Sequence, residues 1–347
     1  STWRDIKVAN NHAYIVSEAY GHGMQIFDLT QLGSVSSPPV EFEESSHYEG
    51  FSKAHNLVMN EETDMLYAVG TNTFEGGLHI MDVSDPLYPI LVGDFAQDGY
   101  THDAQVVVYN GPDSNFQGKE IAFACNENTV TIADVSDPSD TYLISASTYS
   151  NSQYTHQGWL TEDQRYFLVG DELDEYYDGI NTTTFIWDVG DLSLPVLIGT
   201  YVSTTNAIDH NLYIVDNLCY QSNYRAGLRI ANISNIANGV MEETAFFDIY
   251  PANDDAHFNG TWSNYPFFPS GVVAVSSIEG GVFFVLPNIQ SGCPADFNND
   301  LVVSIADLLM LISEFSCINY CATDMSADGS VNVDDLLMFL IAFGTLC

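Results

Sequence analysis

The sequence predicts a mainly β protein, with a six-bladed β-propeller over residues 1–289 and a small α-helical calcium-binding module over residues 290–347. Two observations predict this organisation. An apolar strand phrase occurs six times at intervals of 45 to 55 residues, which is the length of a four-stranded propeller blade. After the last repeat, an acidic twelve-residue loop followed by an apolar helix occurs twice.

Each repeat contains short apolar strands separated by turn residues. The recurring strand reads AYIVSEA (13–19), LYAVGTN (66–72), IAFACNE (121–127), YFLVGDE (166–172), LCYQSNY (218–224) and VAVSSIE (273–279). Another strand follows it and usually closes on a turn, as in GLHIMDVSDP and TVTIADVSDP. A third comes after the turn in five repeats, as in PILVGDF (89–95), and a further strand opens each repeat. Four strands per repeat predict six blades.

The phrasing of these repeats, above all WRDIKVANNHAYIVSEAYGHGMQIFDL (3–29), resembles bacterial secreted proteins with LVIVD repeats, the group called choice-of-anchor B. The resemblance spans about residues 3–287. It implies a propeller joined to a variable C-terminal anchoring module. It implies little about a reaction or a ligand. It also suggests an alternative in which a seventh blade is encoded upstream of Ser1.

The sixth repeat is shorter than the others. It has strands at about 257–263, 272–278 and 281–286 and then passes into the calcium module. The sequence therefore predicts a blade with one unpaired strand edge, which is a template for another strand. We expect that edge to be covered by residues upstream of Ser1, by the calcium module or by a second molecule.

Five histidines recur at one place in the repeats, at the start of the first strand of a blade. They are His55, His102, His156, His210 and His257, and Arg4 takes the corresponding place in the first repeat. Because first strands line the propeller axis, we expect these imidazoles to converge at one depth. Neutral imidazoles in such an arrangement can bind Zn²⁺, Cu²⁺, Ni²⁺ or Fe²⁺. The alternative is that each histidine only hydrogen-bonds the backbone of the neighbouring blade.

Other candidate groups in the repeats are few. Glu172, Asp174 and Glu175 form a local acidic loop, which could bind Ca²⁺ loosely but which we interpret as a solvated blade turn. Cys125 and Cys219 lie at different depths of the strand phrase in repeats that are not adjacent, so we interpret both as buried free thiols.

The two acidic loops at the C-terminal end match a calcium-binding pattern. They read DFNNDLVVSIAD (296–307) and DMSADGSVNVDD (324–335), and they start 324 − 296 = 28 residues apart. Calcium loops bind through positions 1, 3, 5, 7, 9 and 12, with position 7 contributing a backbone carbonyl. Those positions hold Asp296, Asn298, Asp300, Val302, Ser304 and Asp307 in the first loop, and Asp324, Ser326, Asp328, Ser330, Asn332 and Asp335 in the second. The sequence therefore predicts two Ca²⁺ sites.

An apolar helix is predicted behind each loop, from residues spaced at i, i+3, i+4 and i+7. These are Leu308, Leu311, Ile312 and Phe315 in the first unit and Leu336, Phe339, Leu340 and Phe343 in the second. Two loop-helix units over about residues 293–347 resemble a dockerin, a module that docks secreted bacterial proteins onto a receptor. The resemblance implies a protein partner, either a cohesin-like receptor or another copy of this chain.

The module departs from the dockerin pattern at two places. Leu301 stands where the loop turn prefers glycine, whereas the second loop keeps Gly329, so we expect the second site to bind calcium at least as tightly as the first. The positions that read the partner in cellulosomal dockerins carry a hydroxyl pair, and here they hold Ile305 with Ala306 and Val333 with Asp334.

Four cysteines flank the two units and permit three pairings. Because dockerin termini usually lie together, the resemblance favours Cys293 with Cys347 and Cys317 with Cys321, and pairing within each unit is the rival. Cystines and calcium loops both indicate export from the cytosol.

The charge of the chain restricts its partners. With 47 acidic and 7 basic side chains, the formal net charge is −40, which excludes nucleic acids and anionic membranes as partners. No apolar stretch approaches the length of about 20 residues that a membrane span requires. We therefore expect a secreted or cell-surface protein that binds, anchors or assembles through its calcium module. The alternatives are an extracellular metalloenzyme with a histidine site on the axis and a subunit of a self-assembling polymer.

Overall fold

The computed structural model describes residues 3–289, 295–298, 302–318, 321–326 and 328–345. It is a six-bladed β-propeller followed by two short helices, so the predicted fold class is confirmed. Neighbouring strands of each blade are antiparallel and follow chain order. The first strands of consecutive blades contact one another and surround the axis.

The blades have the following bounds. Blade 1 contains β1 (Arg4–Ala9), β2 (His12–Ser17), β3 (Met24–Asp28) and β4 (Ser46–Tyr48). Blade 2 contains β5 (Asn56–Asn60), β6 (Met65–Val69), β7 (Leu78–Asp82) and β8 (Ile90–Phe95). Blade 3 contains β9 (Asp103–Val108), β10 (Glu120–Cys125), β11 (Val130–Asp134) and β12 (Tyr142–Ser147).

Blade 4 contains β13 (Thr155–Leu160), β14 (Tyr166–Asp171), β15 (Thr183–Asp188) and β16 (Val196–Val202), with the short helix α1 (Asp174–Asp178) between β14 and β15. Blade 5 contains β17 (Leu212–Val215), β18 (Leu218–Ser222), β19 (Leu228–Asn232) and β20 (Glu242–Phe247). Blade 6 contains β21 (Thr261–Tyr265), β22 (Val273–Ser277) and β23 (Gly281–Val285). Turns of 3-10 helix occupy Leu29–Ser34, Phe74–Gly76 and Ile236–Asn238, and the C-terminal helices are α2 (Ile305–Ser313) and α3 (Val333–Ala342). No helix among the described residues is long and apolar enough to cross a membrane.

A side-chain turn ends the third strand of five blades and explains the recurring DVSD phrase. The Oδ1 atom at the strand end accepts a hydrogen bond from the backbone N–H two residues later, which reverses the chain toward the fourth strand. These pairs are Asp28 with Thr30, Asp82 with Ser84, Asp134 with Ser136, Asp188 with Gly190 and Asn232 with Ser234, at 2.8–3.0 Å. By register the same place in blade 6 is Leu286, which has no side-chain oxygen. The fourth strand is absent from blade 6 among the described residues, as predicted.

Glycine in the fourth strand allows close packing between blades. A Cβ atom on Gly93 in β8 would lie 1.8 Å from the carbonyl oxygen of Pro138, in the turn that follows β11 of the next blade. Only glycine fits this close to the Pro138 carbonyl, which explains the glycine in PILVGDF (89–95).

Hydrophobic clusters join each blade to the next, from blade 1 through blade 6. No cluster of the described residues joins blade 6 to blade 1. In blade 2 the side chains of Leu78 and Ile80 are 0% exposed, whereas Val282 and Phe284, their equivalents in blade 6, are 60% and 69% exposed. On blade 1, Ile6 is 55% exposed. These two apolar faces are where an additional sheet would pack, and the seven-bladed alternative stays a prediction.

The exposed face of blade 6 can be tested with two alanine variants. Ile80→Ala is expected to lower the free energy of unfolding by about 2–5 kcal/mol, because it leaves a cavity between blades 2 and 3. Phe284→Ala is expected to change it by less than about 0.5 kcal/mol, because the ring is already in solvent. Urea unfolding of both variants measures the difference. Equal losses would mean that blade 6 is covered in solution.

Candidate metal sites

An arc of aromatic side chains stands at one end of the propeller axis. Ring centroids are 4.2 Å apart between His55 and His102, 4.2 Å between His102 and His156, 4.5 Å between His156 and His210, and 4.4 Å between His210 and Trp262. Each ring comes from the start of the first strand of its blade. The predicted convergence of the first four histidines is therefore confirmed.

The inclusion of His257 was wrong. The strand β21 begins at Thr261 instead of about residue 257, and His257 is an exposed loop residue. Trp262 takes its place, 262 − 210 = 52 residues after His210. The local likeness between AHFN and AHNL was misleading. A better signal was the threonine that precedes the ring in three blades, at Thr101, Thr155 and Thr261, all of them buried. Arg4, at the corresponding place of blade 1, is exposed.

The Nδ1 atoms of the histidines face the backbone of the next blade. His102 Nδ1 lies 2.9 Å from the carbonyl oxygen of His156, and His210 Nδ1 hydrogen-bonds the carbonyl oxygen of Trp262. His156 Nδ1 faces the backbone of His210 without a hydrogen bond of good geometry. The structural role considered for these histidines is thus present. Because a carbonyl can only accept, Nδ1 carries the proton in His102 and His210, which leaves the lone pair on Nε2.

Glu172 brings a carboxylate near the Nε2 atoms of His156 and His210. Its Oε2 lies 3.7 Å from Nε2 of His156 and its Oε1 lies 3.9 Å from Nε2 of His210. The Tyr224 hydroxyl donates to Oε1 at 2.7 Å, which fixes the carboxylate. One ligand atom from each of His156, Glu172 and His210 lies within 4.8 Å of the others.

These three groups have the donor types and spacing of a metal site. Metal–ligand distances of about 2.0–2.2 Å in a tetrahedral site place ligand atoms about 3.4 Å apart. The three ligand atoms lie within 4.8 Å of one another, so the side chains must close by up to about 1.4 Å to share one ion. Burial lowers the pKa of both His156 and His210 to about 3, which keeps them neutral as metal ligands must be. His55 lies outside this group, with its Nδ1 2.6 Å from Glu18 Oε1.

The inner strands also carry a half-buried lysine. Lys7 Nζ lies 2.6 Å from Asp5 Oδ2 and 3.3 Å from Asn56 Oδ1. Burial raises the pKa of Asp103 to about 7, and the charge of Lys7 opposes this shift. Asp5 and Asp103 therefore act on Lys7, and this ionic cluster is distinct from the histidine arc.

The second C-terminal loop closes around its acidic side chains. Asp335 accepts hydrogen bonds from the N–H groups of Ser326 at 2.9 Å and Asn332 at 2.8 Å. Asp324 Oδ2 accepts from the N–H of Gly329 at 2.8 Å, where φ is +88° and glycine is favoured. Burial alone would raise the pKa of Asp335, but the donors Ser326 and Asn332 lower it below its usual value. The carboxylate is therefore ionised at neutral pH.

The first loop has the same arrangement in its described part. Asp307 accepts hydrogen bonds from the N–H groups of Phe297 at 2.9 Å, Asn298 at 3.1 Å and Ser304 at 2.9 Å. Asp300 and Leu301 lie outside the described residues. Ser304 and Asn332, at position 9 of each loop, cap helices α2 and α3 through capping boxes. The described positions of both loops can offer oxygen atoms as metal ligands, which is the ligand type that Ca²⁺ takes.

The two units share a small core of five buried residues. These are Ala295, Val303, Leu311, Val331 and Phe339. Only one predicted face residue of each helix is buried, since Ile312, Phe315, Leu340 and Phe343 are exposed.

The cysteine predictions have three outcomes. Cys317 and Cys321 form a disulfide with an Sγ–Sγ distance of 2.07 Å, as predicted. Cys293 and Cys347 lie outside the described residues. Cys125 and Cys219 are buried free thiols, as predicted.

Comparison with known proteins agrees with the fold. Residues 73–97 and 122–148 match the LVIVD repeat family. No curated protein matches the chain. A crystal structure of a protein from Lactobacillus plantarum is similar at a TM-score of 0.57 and 12% sequence identity, over 84% of this chain and 82% of that one. The β-propeller domain of Myceliophteria thermophila Cps50 (Swd1) is similar at a TM-score of 0.50 and 13% identity, over 82% and 81% of the two chains. These likenesses concern the fold alone. The chain is a β-propeller protein that carries LVIVD repeats.

Proposed function

We propose that this protein is a secreted binding or assembly protein, in which the propeller is a rigid display surface and the C-terminal module is a calcium-dependent docking domain. The observation that carries the proposal is a duplicated apolar surface on the helices behind the two calcium loops. The proposed architecture is that of the choice-of-anchor B proteins, with a dockerin-like module as the anchor.

The apolar surface has three equivalent pairs of exposed residues, each pair 28 residues apart. They are Ile305 with Val333, Leu309 with Leu337 and Ile312 with Leu340. Exposed apolar side chains that recur at matched positions of two helices are typical of a protein-binding surface. In contrast, the loops beside them hold the acidic groups. A partner can therefore contact the helices while calcium fixes their ends.

Calcium is the ion that suits the loops. Asp307 and Asp335 are fully buried, and the described ligand positions offer carboxylate, hydroxyl, amide and carbonyl oxygens. The Cys317–Cys321 disulfide supports an oxidising location, which agrees with secretion or display at the cell surface. The proposed partner is a cohesin-like receptor or a second copy of the chain.

The experiment replaces the apolar surface without altering the loops. The double variant Leu309→Asp, Leu337→Asp is expected to lose calcium-dependent binding while its calcium stoichiometry stays unchanged. Leu194→Asp, at an exposed leucine of the propeller, is the matched control. Sedimentation velocity measures self-association, and an immobilised cohesin-like domain measures receptor binding. Absence of both interactions for the wild-type protein in calcium would refute the proposal.

A second candidate function is favoured by the axial cluster of His156, Glu172 and His210. We propose that it binds a transition metal ion such as Zn²⁺, which would make the propeller an extracellular metalloprotein or metalloenzyme. The neutral imidazoles supply nitrogen donors, and Glu172 supplies charge compensation. A bound ion would act there as a Lewis acid. The chain itself contributes a carboxylate held by the Tyr224 hydroxyl and a rim of closely spaced, mutually tilted rings.

A further inference from the structure

We propose that Asp174, Glu175 and Asp209 form a buried binding site for a hard divalent cation, with Ca²⁺ as the preferred ion. This site is separate from the C-terminal loops and adjoins the axial cluster. Asp174 and Glu175 begin helix α1 of blade 4, and Asp209 precedes the first strand of blade 5. The sequence suggested a solvated turn for the acidic loop, and that interpretation was wrong for both α1 residues.

The three carboxyl groups are buried, and four of their six oxygens have no hydrogen-bond partner. Asp174 is 2% exposed, Glu175 is 1% exposed and Asp209 is 3% exposed. Both Oδ atoms of Asp174, Oε2 of Glu175 and Oδ1 of Asp209 have no hydrogen-bond partner. Buried polar atoms in proteins are almost always hydrogen-bonded, so four orphaned oxygens in one region indicate a ligand that supplies positive charge.

The surroundings do not neutralise these groups. The charged groups that act most strongly on them are one another and the neighbouring acids Asp171, Glu172 and Asp178. The carboxyl groups of Asp174 and Glu175 also lie within hydrogen-bond reach of each other. Since an ionised carboxylate only accepts, two of them remain in contact only when a proton or a cation lies between them.

Asp171, at the end of β14, is a nearby carboxylate with a purely structural role. Asp171 accepts hydrogen bonds from the Tyr149 hydroxyl at 2.8 Å and from the N–H groups of Gln153 at 2.8 Å and Tyr154 at 2.6 Å. The oxygens of Asp171 are therefore occupied by hydrogen bonds from the protein itself. Asp174 and Glu175 lie three and four residues further along and keep free lone pairs, which is the state that a ligand set requires.

The backbone around the site holds the carboxylates in place. Thr183 N–H donates to Oε1 of Glu175 at 3.2 Å, whereas Oε2 has no hydrogen-bond partner. A Cβ atom on Gly170 would lie 2.2 Å from Oδ2 of Asp209, so a side chain at this position would displace the Asp209 carboxylate. The side chain of Asp209 is thereby packed against β14 of the preceding blade.

The all-oxygen donor set selects the class of ion. Ca²⁺ takes six to eight oxygen ligands at about 2.3–2.6 Å and accepts irregular geometry, whereas Zn²⁺ prefers nitrogen and sulfur. Burial, together with the neighbouring acidic groups, raises the pKa of both Asp174 and Glu175, so protons are the competing cations. The hard-ion site and the histidine cluster are therefore neighbours with different ion preferences.

The experiment uses the full chain with the C-terminal loops silenced by Asp296→Ala and Asp324→Ala. In this background we expect about one calcium ion per chain by elemental analysis, together with a thermal midpoint of the propeller that rises with calcium concentration. Adding Glu175→Gln and Asp209→Asn is expected to abolish both. Asp178→Asn, at the exposed end of the same helix, is expected to preserve both.

If no cation binds, the Glu175→Gln, Asp209→Asn substitutions should change the stability of the propeller in the opposite direction. If protons alone satisfy the cluster, the Gln/Asn variant is more stable than its parent with and without calcium, because neutralisation relieves repulsion, and the proposal fails. It also fails if Asp178→Asn removes calcium equally, which would indicate diffuse binding to surface charge. Should the double variant not fold, Asp174→Asn alone provides the same comparison. Because the C-terminal loops are inactive throughout, failure here is distinguishable from failure of the docking function.

Discussion

Chelation of calcium is expected to unfold the C-terminal module and to leave the propeller folded. Among its described residues, the module has five buried core side chains, and its two loops concentrate carboxylates that repel one another without a cation. In small domains of this kind, the free energy of metal binding supplies the free energy of folding. The propeller has five interblade cores of its own and does not depend on the loops.

Limited proteolysis followed by mass spectrometry measures this directly. With calcium present, cleavage within residues 295–345 should be slow, and with EGTA it should become rapid while residues 3–289 stay protected. Asp335→Asn should show partial exposure in saturating calcium, because only the second loop is weakened. Protection of the module in EGTA would contradict the expectation, and so would simultaneous loss of both domains.

Removal of one axial ligand is expected to abolish transition-metal binding by the propeller. Loss of a residue that only hydrogen-bonds a metal ligand lowers metal affinity by about 10- to 100-fold. His156→Ala and Glu172→Gln each remove a direct ligand, so each should lower the affinity for Zn²⁺ by more than about 100-fold. His257→Ala removes a histidine that is exposed and outside the arc, so it should change nothing. Calorimetric titration with Zn²⁺ in the calcium-loaded protein provides the affinities.

The pH dependence of this binding distinguishes a buried site from surface histidines. Because burial lowers the pKa of His156 and His210 to about 3, both imidazoles are neutral at pH 5. Zn²⁺ should therefore be retained at pH 5, whereas exposed histidines with ordinary pKa values near 6.5 release it. Equal zinc loss from the wild type and the two site variants at pH 5 would remove the axial cluster from consideration.

Much of the propeller follows from local sequence signals. The strand phrases place the middle strands, and the side-chain turns after residues such as Asp82 place the fourth strands. The loss of that turn at Leu286 accounts for the short sixth blade. These features are local, because strand alternation and turn chemistry depend on residues a few positions apart.

The sites were harder to predict, because their members come from different blades. His156 and Glu172 belong to blade 4 and His210 to blade 5, and no spacing in the sequence shows that Glu172 reaches both rings. The error at His257 arose from a two-residue likeness, whereas strand pairing selects Trp262. Burial of Asp174 and Glu175 was also invisible, since an acidic helix start looks the same in sequence whether it is solvated or covered.

The most direct test of calcium-dependent docking is to locate calcium in the module by anomalous X-ray diffraction from crystals grown in CaCl₂. We expect one anomalous peak in each C-terminal loop, with the second about 2.3–2.6 Å from carboxylate oxygens of both Asp324 and Asp335. Well-ordered loops without anomalous peaks at either position would contradict it.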